Sequence, residues 1–232
     1  MHFGARTDKG RARANNQDAY GHRGRLFLVA DGMGGHLGGE VASRLAVEHI
    51  LAAADGRDPL VELRNGFAAA NRAILDHAAA NADCSGMGTT VAALVLDGSL
   101  AHLAHIGDSR IYRLRDGKLT LLTRDHSLVE ELVRQGTLSA EEARAHPQRS
   151  ILTRALGTAE GTRIEYAEVD LAAGDVFLLC TDGLTAEVDD AEIAAVLAAD
   201  LDPEAKAGRL VALANERGGA DNITVIVVEN RD

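Results

Sequence analysis

Apolar and polar residues follow two different periods along this chain. At 25–30, Arg-Leu-Phe-Leu-Val-Ala is a short apolar run rich in strand formers. It ends abruptly at Asp31-Gly-Met-Gly-Gly35, which reads as a loop. From 39 to 54 the apolar residues, among them Val41, Leu45, Ile50 and Leu51, cover a broad helical face, and a second helix is expected from about 59 to 81. The period then changes. Strands are predicted at 89–96, 100–106 and 109–114, separated by Asp97-Gly98 and Gly107-Asp108, and Asp116-Gly117 marks a hairpin turn that returns through 119–122. Short helices follow at 126–135 and 139–145, the second with Ser139 as cap and Glu142 three residues on. Strands at 163–169 and 176–180, helices at about 190–199 and 203–216, and a closing strand at 223–228 complete the pattern. The first segment, to about Asn16, is polar and basic.

The strands come in adjacent groups and the helices in pairs between them. That grouping favours layered antiparallel sheets with helices outside over a doubly wound parallel sheet. No repeat, low-complexity stretch or linker interrupts the 232 residues, so one domain over 1–232 is the simplest expectation.

Composition narrows the partners. Aromatic residues make up 3% of the chain and Trp is absent, which argues against stacking on single-stranded nucleic acid. A net charge of −11 argues against any partner held by phosphate neutralisation along a backbone. The N-terminal residues form no apolar signal segment, and no apolar run reaches the roughly 20 residues a membrane span needs, so a cytoplasmic protein is expected. Of the two cysteines, Cys84 and Cys180, the second ends an apolar run and reads as a buried thiol.

The acidic residues carry the candidate chemistry. Asp31 and Asp182 each follow an apolar strand and precede glycine. Asp108 follows Ala-His-Ile-Gly, Asp221 precedes the last strand, and Asp18 lies near an expected first strand. Asp and Gly are also ordinary turn residues, so each position alone has a bland explanation. Several carboxylates at buried strand ends would repel one another strongly unless cations sat among them. Hard oxygen ligands favour magnesium or manganese over zinc. The glycine loop is neither a dinucleotide fingerprint, because Leu37 holds the sixth position, nor a phosphate-binding P-loop, because no Gly-Lys-Ser/Thr follows. Gly107-Asp-Ser109 is similar to an esterase nucleophile motif, but no histidine follows His146 to act as its base. His102, His105 and His126 read as structural, and Asp125 as a helix cap.

Seven motifs occur in order: Arg13-Ala-Asn-Asn-Gln-Asp18, Asp31-Gly-Met-Gly-Gly-His36, Gly88-Thr-Thr90, Gly107-Asp-Ser-Arg110, Asp125-His-Ser127, Thr181-Asp-Gly-Leu184 and Asp221-Asn-Ile-Thr224. Together they resemble the bacterial branch of the protein phosphatase 2C family, the metal-dependent serine/threonine phosphatases, over essentially the whole chain. The resemblance implies an α+β fold, a four-layer α-β-β-α sandwich of two antiparallel sheets flanked by helix pairs. It implies that Asp18, Asp31, Asp182 and Asp221 hold two Mn2+ or Mg2+ ions, with Asp31 bridging and the Gly32 carbonyl as a further ligand. Asp108 would help hold a third, weaker ion. Arg13 would bind the substrate phosphate, His36 would be the general acid, and residues 127–156 would form a mobile flap. A hydroxide bridging the ions would attack phosphorus in line, without a phosphoenzyme. The substrates implied are phosphoproteins, including a partner serine/threonine kinase, and a monomer is the default. Spacing alone leaves other roles open: Arg13 as a solvated charge, His36 as a partner of the glycine loop, Asp108 as a turn cap. A non-catalytic phosphoprotein scaffold and a small-molecule phosphomonoesterase are the alternatives on the same fold.

Overall fold

A computed structural model describes every residue except His36 and Asp232, and every side chain besides except those of Arg144 and Ala145. One sheet orders β1 (His2–Asp8), β11 (Ile223–Glu229), β10 (Val176–Cys180), β7 (Arg110–Arg115) and β8 (Lys118–Leu121). The other orders β2 (Asp18–Arg23), β3 (Leu26–Met33), β5 (Val91–Asp97), β6 (Leu100–Ile106) and β9 (Glu165–Asp170), with the short β4 (Gly88–Thr89) paired to the end of β3. Every pairing is antiparallel.

Three apolar layers explain why the central strands read as unbroken runs. In β3, Phe27 and Val29 face the other sheet and meet Phe177 and Leu179 of β10 and Ile226 and Val228 of β11. The alternate residues Leu26, Leu28 and Ala30 pack under α1 (Gly38–Ala52) and α2 (Pro59–Ala80). Likewise Leu178, Cys180, Val225 and Val227 pack under α6 (Asp190–Ala198) and α7 (Pro203–Glu216). Strands covered on both faces have no solvent side on which to place polar residues. The result is the helix–sheet–sheet–helix layering expected from the grouped strands. Each large side chain so buried contributes roughly 1.5–3 kcal/mol.

Between β8 and β9 lie two helices, α3 (Leu128–Arg134) and α4 (Ala140–Ala145), outside the four layers. Ser127 caps the first, and Ser139 with Glu142 forms the expected capping box on the second. The segment is zipped at its base. The Leu128 N–H donates to the Ile151 carbonyl at 2.8 Å and the Thr153 N–H to the His126 carbonyl at 2.8 Å.

Three readings need correction. Residues 31–33 are strand, not loop, because Gly32 and Met33 pair with Thr89 and Gly88. The polar first segment holds the strand β1, whose partner is the last strand, β11. Asp125 is not a helix cap: Ser127 is, while Asp125 accepts from the Arg110 guanidinium at 2.7 Å and 3.0 Å.

Candidate metal centre

The five predicted carboxylates lie at or within two residues of strand ends that the fold brings together. Asp18 begins β2 and stands directly opposite Asp31 in the β2–β3 ladder. Asp182 opens the one-turn helix α5 (Asp182–Thr185) immediately after β10, and Asp221 lies just before β11, the neighbour of β10. Asp108 sits in the turn between β6 and β7. All five are half-buried, sunk at strand ends yet reachable from solvent.

Their electrostatics are those of a cluster short of positive charge. Burial pushes the Asp18 carboxyl up to about 7, and the charges of Asp182 and Asp221 add to this, against hydrogen bonds from Thr224 and Thr181. Burial first, then Asp18 and Asp182, raises Asp31 well above the usual carboxylate range. Asp108 rises for the same reasons, burial and then Asp182. Burial and Asp221 raise Asp182. The one oxygen Oδ1 of Asp18 and the Oδ1 of Asp182 are buried with no hydrogen-bond partner. Native interiors rarely leave such lone pairs unused, and a hard cation is the ligand that an all-oxygen donor set fits. The donor set therefore suits Mn2+ or Mg2+.

Arg13 reaches the cluster from its rim, donating through Nη2 to Asp221 Oδ2 at 2.7 Å with its side chain 56% exposed. Gly32 follows Asp31 where no side chain fits: a Cβ there would lie 1.9 Å from the Gly39 carbonyl oxygen. Beside the cluster a cleft of about 550 Å³ runs under the α3–α4 segment, from Asp108 and Asp182 to Val129, Val133 and Ala143.

A model of the family described as protein phosphatase 2C matches residues 7–215. This chain belongs to the protein phosphatase 2C family. The serine/threonine protein phosphatase PstP of Mycobacterium tuberculosis is 43% identical over 232 residues, which is 99% of this chain but 45% of PstP. The chain thus spans about half the length of that relative. The serine/threonine phosphatase stp of Listeria welshimeri is 39% identical over 241 residues, covering 99% of this chain and 96% of stp. The solved catalytic domain of PstP in complex with two manganese ions has a TM-score of 0.92 at 40% identity, covering 99% of this chain and 98% of that one. The fold of this protein phosphatase 2C member is α+β, two antiparallel sheets with flanking helices, and no described helix is long and apolar enough to cross a membrane.

The predicted general acid of this protein phosphatase 2C chain, His36, lies outside the described residues. The structure brings together Asp18, Asp31, Asp108, Asp182 and Asp221, with Asp31 at the centre of their mutual repulsion. Sequence reasoning missed the polar frame behind them. Asn222 accepts from the Gln17 N–H at 2.8 Å and donates to the Lys9 and Asn15 carbonyls at 2.9 Å, binding the approach to Asp18 to the approach to β11. The Thr181 hydroxyl donates to Asp18 Oδ2 at 2.9 Å while accepting from the Thr224 N–H at 3.0 Å. Ser43 donates to the Gln17 carbonyl at 2.6 Å. The motifs held Asn222, Thr181 and Thr224, but their roles depend on partners far away in the chain.

The described residues hold a second group of metal-type ligands. His105, His126 and Glu165 place one ligand atom each within 4.8 Å of one another. The two rings stack with centroids 4.7 Å apart. Burial lowers the basicity of both imidazoles.

Proposed function

We propose that this chain is a metal-dependent protein serine/threonine phosphatase, hydrolysing phosphoserine and phosphothreonine in proteins at a binuclear Mn2+ or Mg2+ centre. The observation that carries the proposal is the carboxylate cluster at the strand ends, with buried, unpartnered oxygens on Asp18 and Asp182. Asp18, Asp31, Asp182 and Asp221 would hold the two ions, with Asp31 bridging and the Gly32 carbonyl adding a ligand. Asp108 would help hold a third. When bound, such ions supply Lewis-acid polarisation of a phosphoryl group and lower the pKa of water.

The chain's own residues do the rest. Four carboxylates mounted on strand ends hold positive charge where phosphoryl oxygens arrive, and this offsets the repulsion a chain of net charge −11 exerts on a phosphoprotein. Arg13 has five N–H donors in a planar fork and gives one to Asp221, so others remain for a phosphate. His36 would protonate the leaving alkoxide. Residues 1–232 would form one phosphatase domain with 127–156 as a flap, an extent supported by the family match over 7–215. The relatives named serine/threonine phosphatases support phosphoprotein substrates, and the proposal extends to a cytoplasmic monomer that opposes a serine/threonine kinase.

Exhaustive chelation should abolish phosphopeptide hydrolysis, and Mn2+ or Mg2+ should restore it. Activity that survives chelation would sink the metal mechanism. Restored hydrolysis of p-nitrophenyl phosphate but of no phosphopeptide would mark a small-molecule phosphomonoesterase. Ion binding without turnover of either would mark a phosphoprotein-binding scaffold.

A further inference from the structure

The turn that carries Asp108 is clamped from two sides. On one side the Ser109 and Thr90 hydroxyls lie 2.7 Å apart, and Thr90 Oγ1 also accepts the Asp31 N–H at 3.0 Å. Gly107 adopts φ +96° against Thr90, where a Cβ would come within 2.5 Å of the threonine methyl carbon. On the other side both polar backbone atoms of Gly107 go to one residue. The His126 N–H donates to the Gly107 carbonyl at 2.8 Å, and the Gly107 N–H donates to His126 Nδ1 at 3.1 Å.

That second bond determines the ring's tautomer. A backbone N–H has a fixed direction, so Nδ1 must present a lone pair and the ring proton sits on Nε2. Nε2 lies 3.1 Å from Glu165 Oε1 and donates to it. Arg154 Nη1 donates to the same Glu165 oxygen at 3.2 Å and lies 3.3 Å from His126 Nε2, where two donors face each other without a bond. His105 Nε2 is 2.7 Å from the Arg124 carbonyl and donates to it. A cation at His105, His126 and Glu165 would therefore have to strip His126 of its remaining proton and share space with a guanidinium. The group is a clamp, not a metal site.

We infer that His126 is a positioning residue: its Nδ1 lone pair holds the Gly107 turn so that Asp108 faces the centre, and its carbonyl, taken by the Thr153 N–H at 2.8 Å, ties that turn to the base of the flap. The inference rests on the proposed role of Asp108 in holding a third ion. It predicts which atom of the ring matters. Asparagine places its amide oxygen near the position of Nδ1, whereas glutamine reaches toward Nε2 and leaves the Gly107 N–H without an acceptor.

Isothermal titration of the metal-free full chain with Mn2+ separates the cases, with Mn2+ electron paramagnetic resonance counting bound ions. The wild type and His126→Asn should bind three ions. His126→Gln should keep the two tight ions and bind the third at least about 10-fold more weakly, the usual cost of losing a partner behind the ligands. Wild-type affinity for the third ion in His126→Gln, or equal losses in both variants, would overturn the inference. Asp108→Ala is the control. If it still binds three ions, the third-ion reading itself fails, and the inference with it. If it loses one while His126→Gln does not, only the positioning role fails. Should His126→Gln not fold, ring nitrogen NMR of the wild type at neutral pH decides: a bare Nδ1 and a protonated Nε2 are required, and a protonated Nδ1 refutes the clamp.

Discussion

His105, His126 and Glu165 bring two imidazoles and a carboxylate within 4.8 Å, a donor set that suits a transition metal. Asp18, Asp31, Asp182 and Asp221 bring carboxylates alone, spread over the ends of four strands and loops. By ligand type the histidine group looks the stronger site. By hydrogen bonding the order reverses. His126 has its Nδ1 taken by the Gly107 N–H and its Nε2 beside Glu165, and His105 holds the Arg124 carbonyl. In the aspartate group, oxygens of Asp18 and Asp182 are buried with no partner at all. Spare lone pairs, more than residue identity, mark where a cation belongs.

The strongest way to break that comparison is to remove one ligand of each kind. Asp182→Ala or Asp221→Ala should lower turnover at least about 10³-fold, equal to about 4 kcal/mol of lost transition-state stabilisation, with far-UV circular dichroism unchanged. His105→Phe keeps the ring stack and loses one hydrogen bond, so it should cost about 1 kcal/mol of stability and no bound Mn2+. Wild-type turnover in either aspartate variant would reject the site. A lost ion in His105→Phe would make the histidine group a metal site after all.

Protons sharpen the same contrast. In the chelated chain Asp18 titrates near 7, against about 3.9 when unfolded. Between those values the folded chain binds the extra proton, so Asp18 makes the metal-free protein less stable as pH rises from 4 to 7. His105 and His126 act oppositely: their lowered values mean the unfolded chain binds more protons, and stability rises with pH up to about 6.5. Asp18→Asn should isolate the first effect. Its melting temperature without metal should exceed the wild type's by at least about 2–4 °C at pH 7.5, the shift about 1 kcal/mol produces in a chain of this size, and by less at pH 5. A gap that does not widen with pH would mean that Asp18 keeps an ordinary carboxylate pKa. Manganese affinity in the wild type should rise over the same window, because the ions displace those protons.

The strands of both inner layers were legible because burial on two faces leaves unbroken apolar runs, as at Phe27-Leu28-Val29. The edge strand β1 was not. Only Gly4 of its seven residues is buried, and it is buried by backbone, with Glu204 N 2.2 Å from where a Cβ would be. No hydrophobic period can signal such a contact. The glycine after Asp31 reads as a loop for the same reason, since Gly32 stays in the strand and makes room for the Gly39 carbonyl. The helix α5 has four residues, too short for periodicity to register. The aspartates were visible as residues beside strand ends, and their grouping came from ordered motifs. Asp125 shows the limit: its position before a helix suggested a cap, while its partner Arg110 stands fifteen residues earlier in β7. Side-chain pairs across strands are decided by register, which local sequence does not display.

The smallest expected effect concerns the α3–α4 segment, where the contrast is between the strand-mounted centre and the helices beside its cleft. Arg149 lines the cleft that runs from Asp108 and Asp182 under α3 and α4, and it lies on the strap that returns to the core. It is exposed, so its contacts with a docked chain would be solvated and each worth up to about 1 kcal/mol. Arg149→Ala should therefore lower kcat/KM for phosphopeptides by only a few-fold and leave p-nitrophenyl phosphate turnover unchanged, because the small ester touches the strand-mounted centre and not the strap. Equal losses on both substrates would place Arg149 with the centre. Unchanged kinetics on both would leave the cleft without a part in recognising the peptide.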